Sequence, residues 1–168
     1  MSDGSFSYNL IEKKDLPANG KYKLSENNLI VSKVRPYRGA VSLIKNSPVN
    51  HVGSGAFLIL NEKNNFKKEV LLVLLRLSVY KEYIMKFNVG SSYPVRKDED
   101  YLNLLIPILD IEIQQKIADL VEESFKLRKQ SEQLLEIAKT AVEKAIETDE
   151  DQAIKYINQQ LKELKIEV

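Results

Sequence analysis

The feature that most constrains this chain is a long, uninterrupted heptad in its second half. From Asp110 onward, Ile113, Ile117, Leu120, Ser124, Leu127, Ser131, Leu134, Ala138, Ala141 and Ala145 follow one another at alternating spacings of four and three. That spacing gathers them on one stripe of an α-helix, and no proline or glycine interrupts it. The pattern predicts a helix over Ile111 to Glu147, with Asp110 as its cap and Glu112 where a helix N-terminus favours negative charge. At 1.5 Å per residue such a helix is about 55 Å long. A domain of about 100 residues, with a radius of gyration of about 13 Å, cannot cover it, so the rod projects and its stripe needs a partner. One seam reads Ile113, Leu120, Leu127, Leu134 and Ala141, mostly large, whereas the other reads Ile117, Ser124, Ser131, Ala138 and Ala145, mostly small. Large against small permits close approach, but serine at two core positions weakens a parallel zipper. The expectation is an antiparallel coiled coil with a similar helix. Its dimer interface would comprise Ile113, Ile117, Leu120, Leu127, Leu134, Ala138 and Ala141. The alternative is a helix folded back on its own domain.

The first half reads differently. Leu29-Ile30-Val31 and Ala40 to Ile44 have strand character and are joined by the turn signal Pro36-Tyr37-Arg38-Gly39. Val52-Gly53-Ser54-Gly55 reads as a flexible segment opening a third strand, Ala56 to Leu60. Phe66 to Phe87 favours one buried helix, because Leu71, Leu72, Leu74, Leu75 and Leu77 cover more than one face. Gly90 to Pro94 is a loop, and Leu102 to Ile108 reads as a last short strand. Behind the long helix, Ile154, Ile157, Leu161 and Leu164 mark a short amphipathic one. The fold class expected is α+β: a small β-rich domain over residues 1–109, the long helix over 110–147 and the short helix over 148–168.

Composition removes several chemistries. With no cysteine there is no disulfide, no thiol nucleophile and no Cys-based zinc site, and the single histidine, His51, excludes two-histidine metal motifs. His51 itself reads as an ordinary loop residue. No glycine-rich cofactor loop, P-loop or methyltransferase motif is present. Asp98-Glu99-Asp100 reads as a solvated charge run on a loop, since three consecutive carboxylates cannot all face one ion. The expectation is a non-catalytic protein with no cofactor and no metal. The longest apolar run, Val70 to Leu75, is far below the ~18 residues of a membrane span, so a cytoplasmic protein is expected. Charge is uneven: residues 1–100 carry 16 Lys/Arg against 10 Asp/Glu, or +6, and residues 101–168 carry 9 against 14, or −5. A basic front suits a polyanion and an acidic rear suits protein, although solvated faces alone also produce such a split.

Two basic clusters stand out. Lys33, Arg35, Tyr37 and Arg38 surround the turn; on a strand Lys33 and Arg35 would share a face, with Tyr37 and Arg38 at the tip. Arginine pairs bidentately with guanine or grips phosphate, and lysine supplies a point charge. Ser91, Ser92, Tyr93, Arg96 and Lys97 form the second cluster, where short hydroxyls and a basic pair can bond phosphates and base edges. The plain alternatives are a solvated turn, a structural ion pair at Arg35 and a loop with a packed Tyr93. Ser54, between two glycines, is a weaker phosphate candidate.

Three stretches, in order, resemble the target recognition domain and following helix of type I restriction-modification specificity subunits. They are Asn28 to Gly39 with its Arg35-Pro36 turn, Gly90 to Pro94 followed by Leu102 to Leu109, and the helix entry Ile113-Gln114-Gln115-Lys116-Ile117. The resemblance implies that the domain binds double-stranded DNA, for which the two basic clusters are the candidate contacts. It also implies that the helix pairs antiparallel as a homodimer, and that the pair docks an adenine methyltransferase subunit and, in a restriction system, a nuclease subunit. A full subunit of that family has two recognition domains and two helices, whereas this chain has one of each and resembles a half-subunit. Two other readings are an assembly module that no longer reads DNA, and the recognition part of a fused restriction-methylation enzyme.

Overall fold

The computed structural model describes residues 6, 8–45, 50–61, 66–86 and 94–165. The described chain is α+β and divides into two compact units, residues 1–118 and 119–168, with the division falling inside the long helix.

The first unit is built on a three-stranded antiparallel sheet in the order β3-β2-β5, from β2 (Leu29–Ser32), β3 (Val41–Leu43) and β5 (Phe57–Leu60). In its register Leu29 faces Leu43 and Leu60, and Val31 faces Val41 and Leu58. The central strand is buried on both faces: Leu29, Ile30 and Val31 are 0–4% exposed. This explains the continuous apolar run in place of an alternating one. Each such side chain contributes about 1.5–3 kcal/mol when removed from water. Beside the sheet, β1 (Gly20–Lys23) pairs antiparallel with β4 (Val52–Ser54), with a bulge between Gly20 and Tyr22. The segment expected to be flexible is therefore a strand. A side chain at Gly53 would press on Leu24 at 3.3 Å, and the Ser54 hydroxyl accepts from the Ala56 amide. β1 was not foreseen, because four residues with one exposed tyrosine carry little pattern.

Three expectations about helices and strands need correction. Phe66 to Phe87 is not one helix but two, α1 (Lys68–Leu74) and α2 (Ser78–Met85). α1 packs on β3 and α2 packs on the Pro36–Arg38 turn, so the apolar residues are buried in two directions. Leu77 is extended, with ψ 145°, and supplies the break. Leu102 to Ile108 is no strand: the chain is helical as α3 (Asp98–Leu102), then irregular. Tyr101 and Leu104 are the buried pair there, three residues apart as on a helical turn, and Pro107 has no N–H for a ladder. Asp98 to Asp100 accordingly lies on a helix and not on a loop.

The long helix α4 runs over Ile111–Glu147, the bounds its heptad predicts. In the second unit it is followed by α5 (Glu150–Leu164). The Thr148 hydroxyl and amide both donate to the Lys144 carbonyl, and the Asp149 carboxylate caps the Gln152 amide at 2.7 Å. Ile137, Ala141 and Ala153 are buried, and the Lys144 ammonium stands 5.3 Å from the centre of the Tyr156 ring. No helix of the described residues is long and apolar enough to cross a membrane.

Candidate nucleic-acid interface

The site begins where β2 stops. Lys33 leaves the strand, and the chain turns through a 3-10 helix at Pro36–Arg38 flanked on both sides by left-handed residues, Arg35 at φ 50° and Gly39 at φ 60°. Proline at the first position pre-sets the turn, and its ring is buried. Gly39 is required twice over: its φ suits glycine, and an added Cβ would lie 2.9 Å from the Lys81 side chain. The left-handed Arg35 ends the strand alternation, so the expectation that Lys33 and Arg35 share one strand face does not hold. The turn itself stands at the surface, with Tyr37 46% exposed and Arg38 exposed. Arg35 is half-buried.

The structure joins the two clusters that the sequence left apart. The Arg35 amide donates to the Pro94 carbonyl and the Arg96 amide to the Lys33 carbonyl, each at 2.9 Å, with Val34 bridged antiparallel to Val95. Segment 94–96 thus runs beside 33–35. Of the second cluster, Lys97 is exposed, while Arg96 is only 6% exposed with its guanidinium 3.9 Å from the Asp100 carboxylate. Ser91, Ser92 and Tyr93 lie outside the described residues. Lys33 is drawn in as well, its ammonium 2.7 Å from Asp98 and its side chain 15% exposed. Among the described residues of the two clusters, Tyr37, Arg38 and Lys97 are therefore the exposed ones.

Sequence reasoning missed the residues that hold this surface. Tyr101 donates its hydroxyl to the Ser32 carbonyl at 3.0 Å, at the point where β2 ends. Burial pushes the Tyr101 phenol up to about 12, against the opposing pull of the Arg96 charge, so it stays a donor throughout the ordinary pH range. Asp98 engages Lys33, and the Asp100 carboxylate accepts from the Lys97 amide at 3.0 Å. The acidic run was visible, but not the side chains it would meet. His51 packs edge-on against Tyr8, ring centres 4.4 Å apart. Among the described residues no group of His, Asp and Glu is placed to hold a metal ion.

The stripe of the long helix is divided. Ala141 is buried and Ile117 half-buried, while Ile113, Leu120, Leu127 and Leu134 are 46%, 66%, 56% and 37% exposed and Ala138 is exposed. Among the described residues, the four large side chains of the first seam are thus exposed while its Ala141 is covered.

The sequence comparisons place this small sheet with its basic turn, and the helix that follows, within a known family. Residues 2–139 match the model of the type I restriction modification DNA specificity domain, and the chain belongs to that family. It is also similar to the type I restriction enzyme HindI specificity subunit of Haemophilus influenzae, with 28% identity over 130 residues. That match covers 73% of this chain and 28% of the relative, so the chain spans under a third of that subunit's length. No solved structure matches it.

Proposed function

We propose that this chain reads duplex DNA as a half-subunit of a type I specificity assembly, without catalytic activity of its own. The observation that carries the reading is the rigid 3-10 turn that presents Tyr37 and Arg38 beyond the sheet, with Lys97 on the adjoining segment. Arg38 is the candidate for a base contact, because a guanidinium at an exposed tip can pair bidentately with guanine. Lys97 and the half-buried Arg35 suit phosphate, as do the side-chain types of Ser91, Ser92 and Tyr93. Lys33 and Arg96, being tied to carboxylates, contribute less.

On the same reading the open seam Ile113, Leu120, Leu127 and Leu134 pairs antiparallel with that of a second copy, and the pair docks an adenine methyltransferase subunit and, where restriction occurs, a nuclease subunit. The domain boundaries follow function: reading by residues 1–109, pairing by 110–147, with 148–168 closing the end of the rod. A pure assembly module is the second reading, favoured by the engagement of Lys33 and Arg96 with acids. Titration of parent and Arg38→Ala with duplex across salt concentrations decides between them. Salt-dependent binding that Arg38→Ala weakens supports reading; no binding with the dimer intact leaves assembly alone.

A further inference from the structure

Gln114 differs from its neighbours. Glu112, Gln115 and Lys116 are exposed in the first turns of α4, whereas Gln114 is only 6% exposed. Both ends of its amide are used: Oε1 accepts from the Lys67 amide at 2.9 Å, and Nε2 donates to the Leu109 carbonyl at 2.8 Å. Lys67 is the residue that opens α1, and Leu109 is the last residue but one before α4. The bonds lie within the first unit and involve no residue of the Lys33–Gly39 turn. A hydrocarbon of similar volume would fill the space but leave the Lys67 amide and the Leu109 carbonyl without these partners, and it would lack the direction that two hydrogen bonds impose. Each residue advances a helix by about 100°, so a helix turned by one position loses both bonds at once.

We infer that Gln114 is a positioning residue for DNA recognition: it fixes the rotation of the first turn of α4 against the recognition fold, so that two folds joined through paired helices meet DNA in one geometry. The inference rests on the proposed DNA-reading, helix-paired function. Its physical basis is effective concentration. A second fold held in place at its half-site binds almost intramolecularly, whereas one on a loose joint is spread over a larger volume and gains less. Binding by a single fold does not use the joint.

The test uses the full chain and Gln114→Met, which keeps length and removes both polar ends. The probes are a duplex selected by the parent from a random-sequence pool and the same duplex with one half scrambled. The expected result is a dimer of unchanged helix content whose affinity for the intact duplex falls at least tenfold, while affinity for the half-scrambled duplex stays within twofold. Equal losses on both duplexes would reduce Gln114 to a support of the fold and overturn the inference, as would no loss on either. A parent that selects no duplex or stays monomeric would instead defeat the function it rests on. Hydrogen exchange then judges the joint directly. At least tenfold faster exchange at Lys67 and in the first turn of α4, with β2 unchanged, supports the pin; unchanged exchange overturns it.

Discussion

The two units treat their apolar residues in opposite ways. In the recognition unit Leu29, Ile30 and Val31 are sealed between two strands and the elements around them, at 0–4% exposure. Along the long helix Leu120, Leu127 and Leu134 remain 37–66% exposed. A leucine left in water forgoes most of the ~1.5–3 kcal/mol that burial supplies. Their spacing is the heptad spacing of a coiled-coil seam, and the proposed pairing would recover that loss. One unit closes a core around its central strand; the other leaves its large leucines in water.

Substitution separates the two most sharply on the helix. Leu127→Glu with Leu134→Glu places two charges in the seam and should raise the dimer dissociation constant at least a hundredfold. The far-ultraviolet signal of the recognition unit should remain. Analytical ultracentrifugation across concentration reads this, and an unaltered dimer would show that the open seam is not the interface.

The converse change is Leu29→Ala at the centre of the sheet. It should cost about 2–5 kcal/mol in denaturant unfolding of the recognition unit, because the cavity cannot collapse between two strands. Association through α4 should persist. A cost below about 1 kcal/mol would mean that this core is less tightly built than its burial implies.

At the reading surface, Arg38→Ala should lower affinity about five- to hundredfold if the guanidinium meets a base, with preference relaxed at one position. If it meets phosphate, the loss should instead be uniform and the salt slope flatter by about one. Loss of fold is not expected, since an exposed turn residue carries little stability. Unchanged affinity and slope would move the reading surface to Lys97 and its loop.

Two smaller effects test the supports. Tyr101→Phe removes the donor to the Ser32 carbonyl and should cost about 1 kcal/mol. Because the folded phenol is raised to about 12 from an ordinary 10, its contribution is complete below pH 10 and is lost as the pH rises towards 12. The parent's stability should therefore fall more steeply than the phenylalanine variant's across that window. Asp98→Asn releases Lys33 from a pair that is half open to water, an effect of about 0.5 kcal/mol. Duplex affinity should rise about twofold, and a fall would show that Asp98 itself contacts the DNA.

What the sequence determined by itself was local and periodic. The heptad marked Ile111 to Glu147 without reference to any other segment, since helix formation and a stripe at 3.5-residue spacing both arise from neighbours in the chain. Pro36 and Gly39 marked the turn for the same reason, and Leu29 to Val31 and Phe57 to Leu60 were apolar enough to be strands in any arrangement. Tertiary structure decided the rest. It broke Phe66 to Phe87 into α1 and α2, because β3 and the turn demanded apolar surface in different directions. It kept Leu102 to Ile108 out of any sheet, and laid segment 94–96 against 33–35 across some sixty intervening residues. Lys33 meets Asp98 across that distance, Arg96 meets Asp100 four residues on, and among the described residues of the two clusters Tyr37, Arg38 and Lys97 are exposed. A basic residue's charge is written in the sequence. Whether the Lys33 charge meets solvent or a carboxylate depends on which distant segment folds beside it, and no local pattern carries that information.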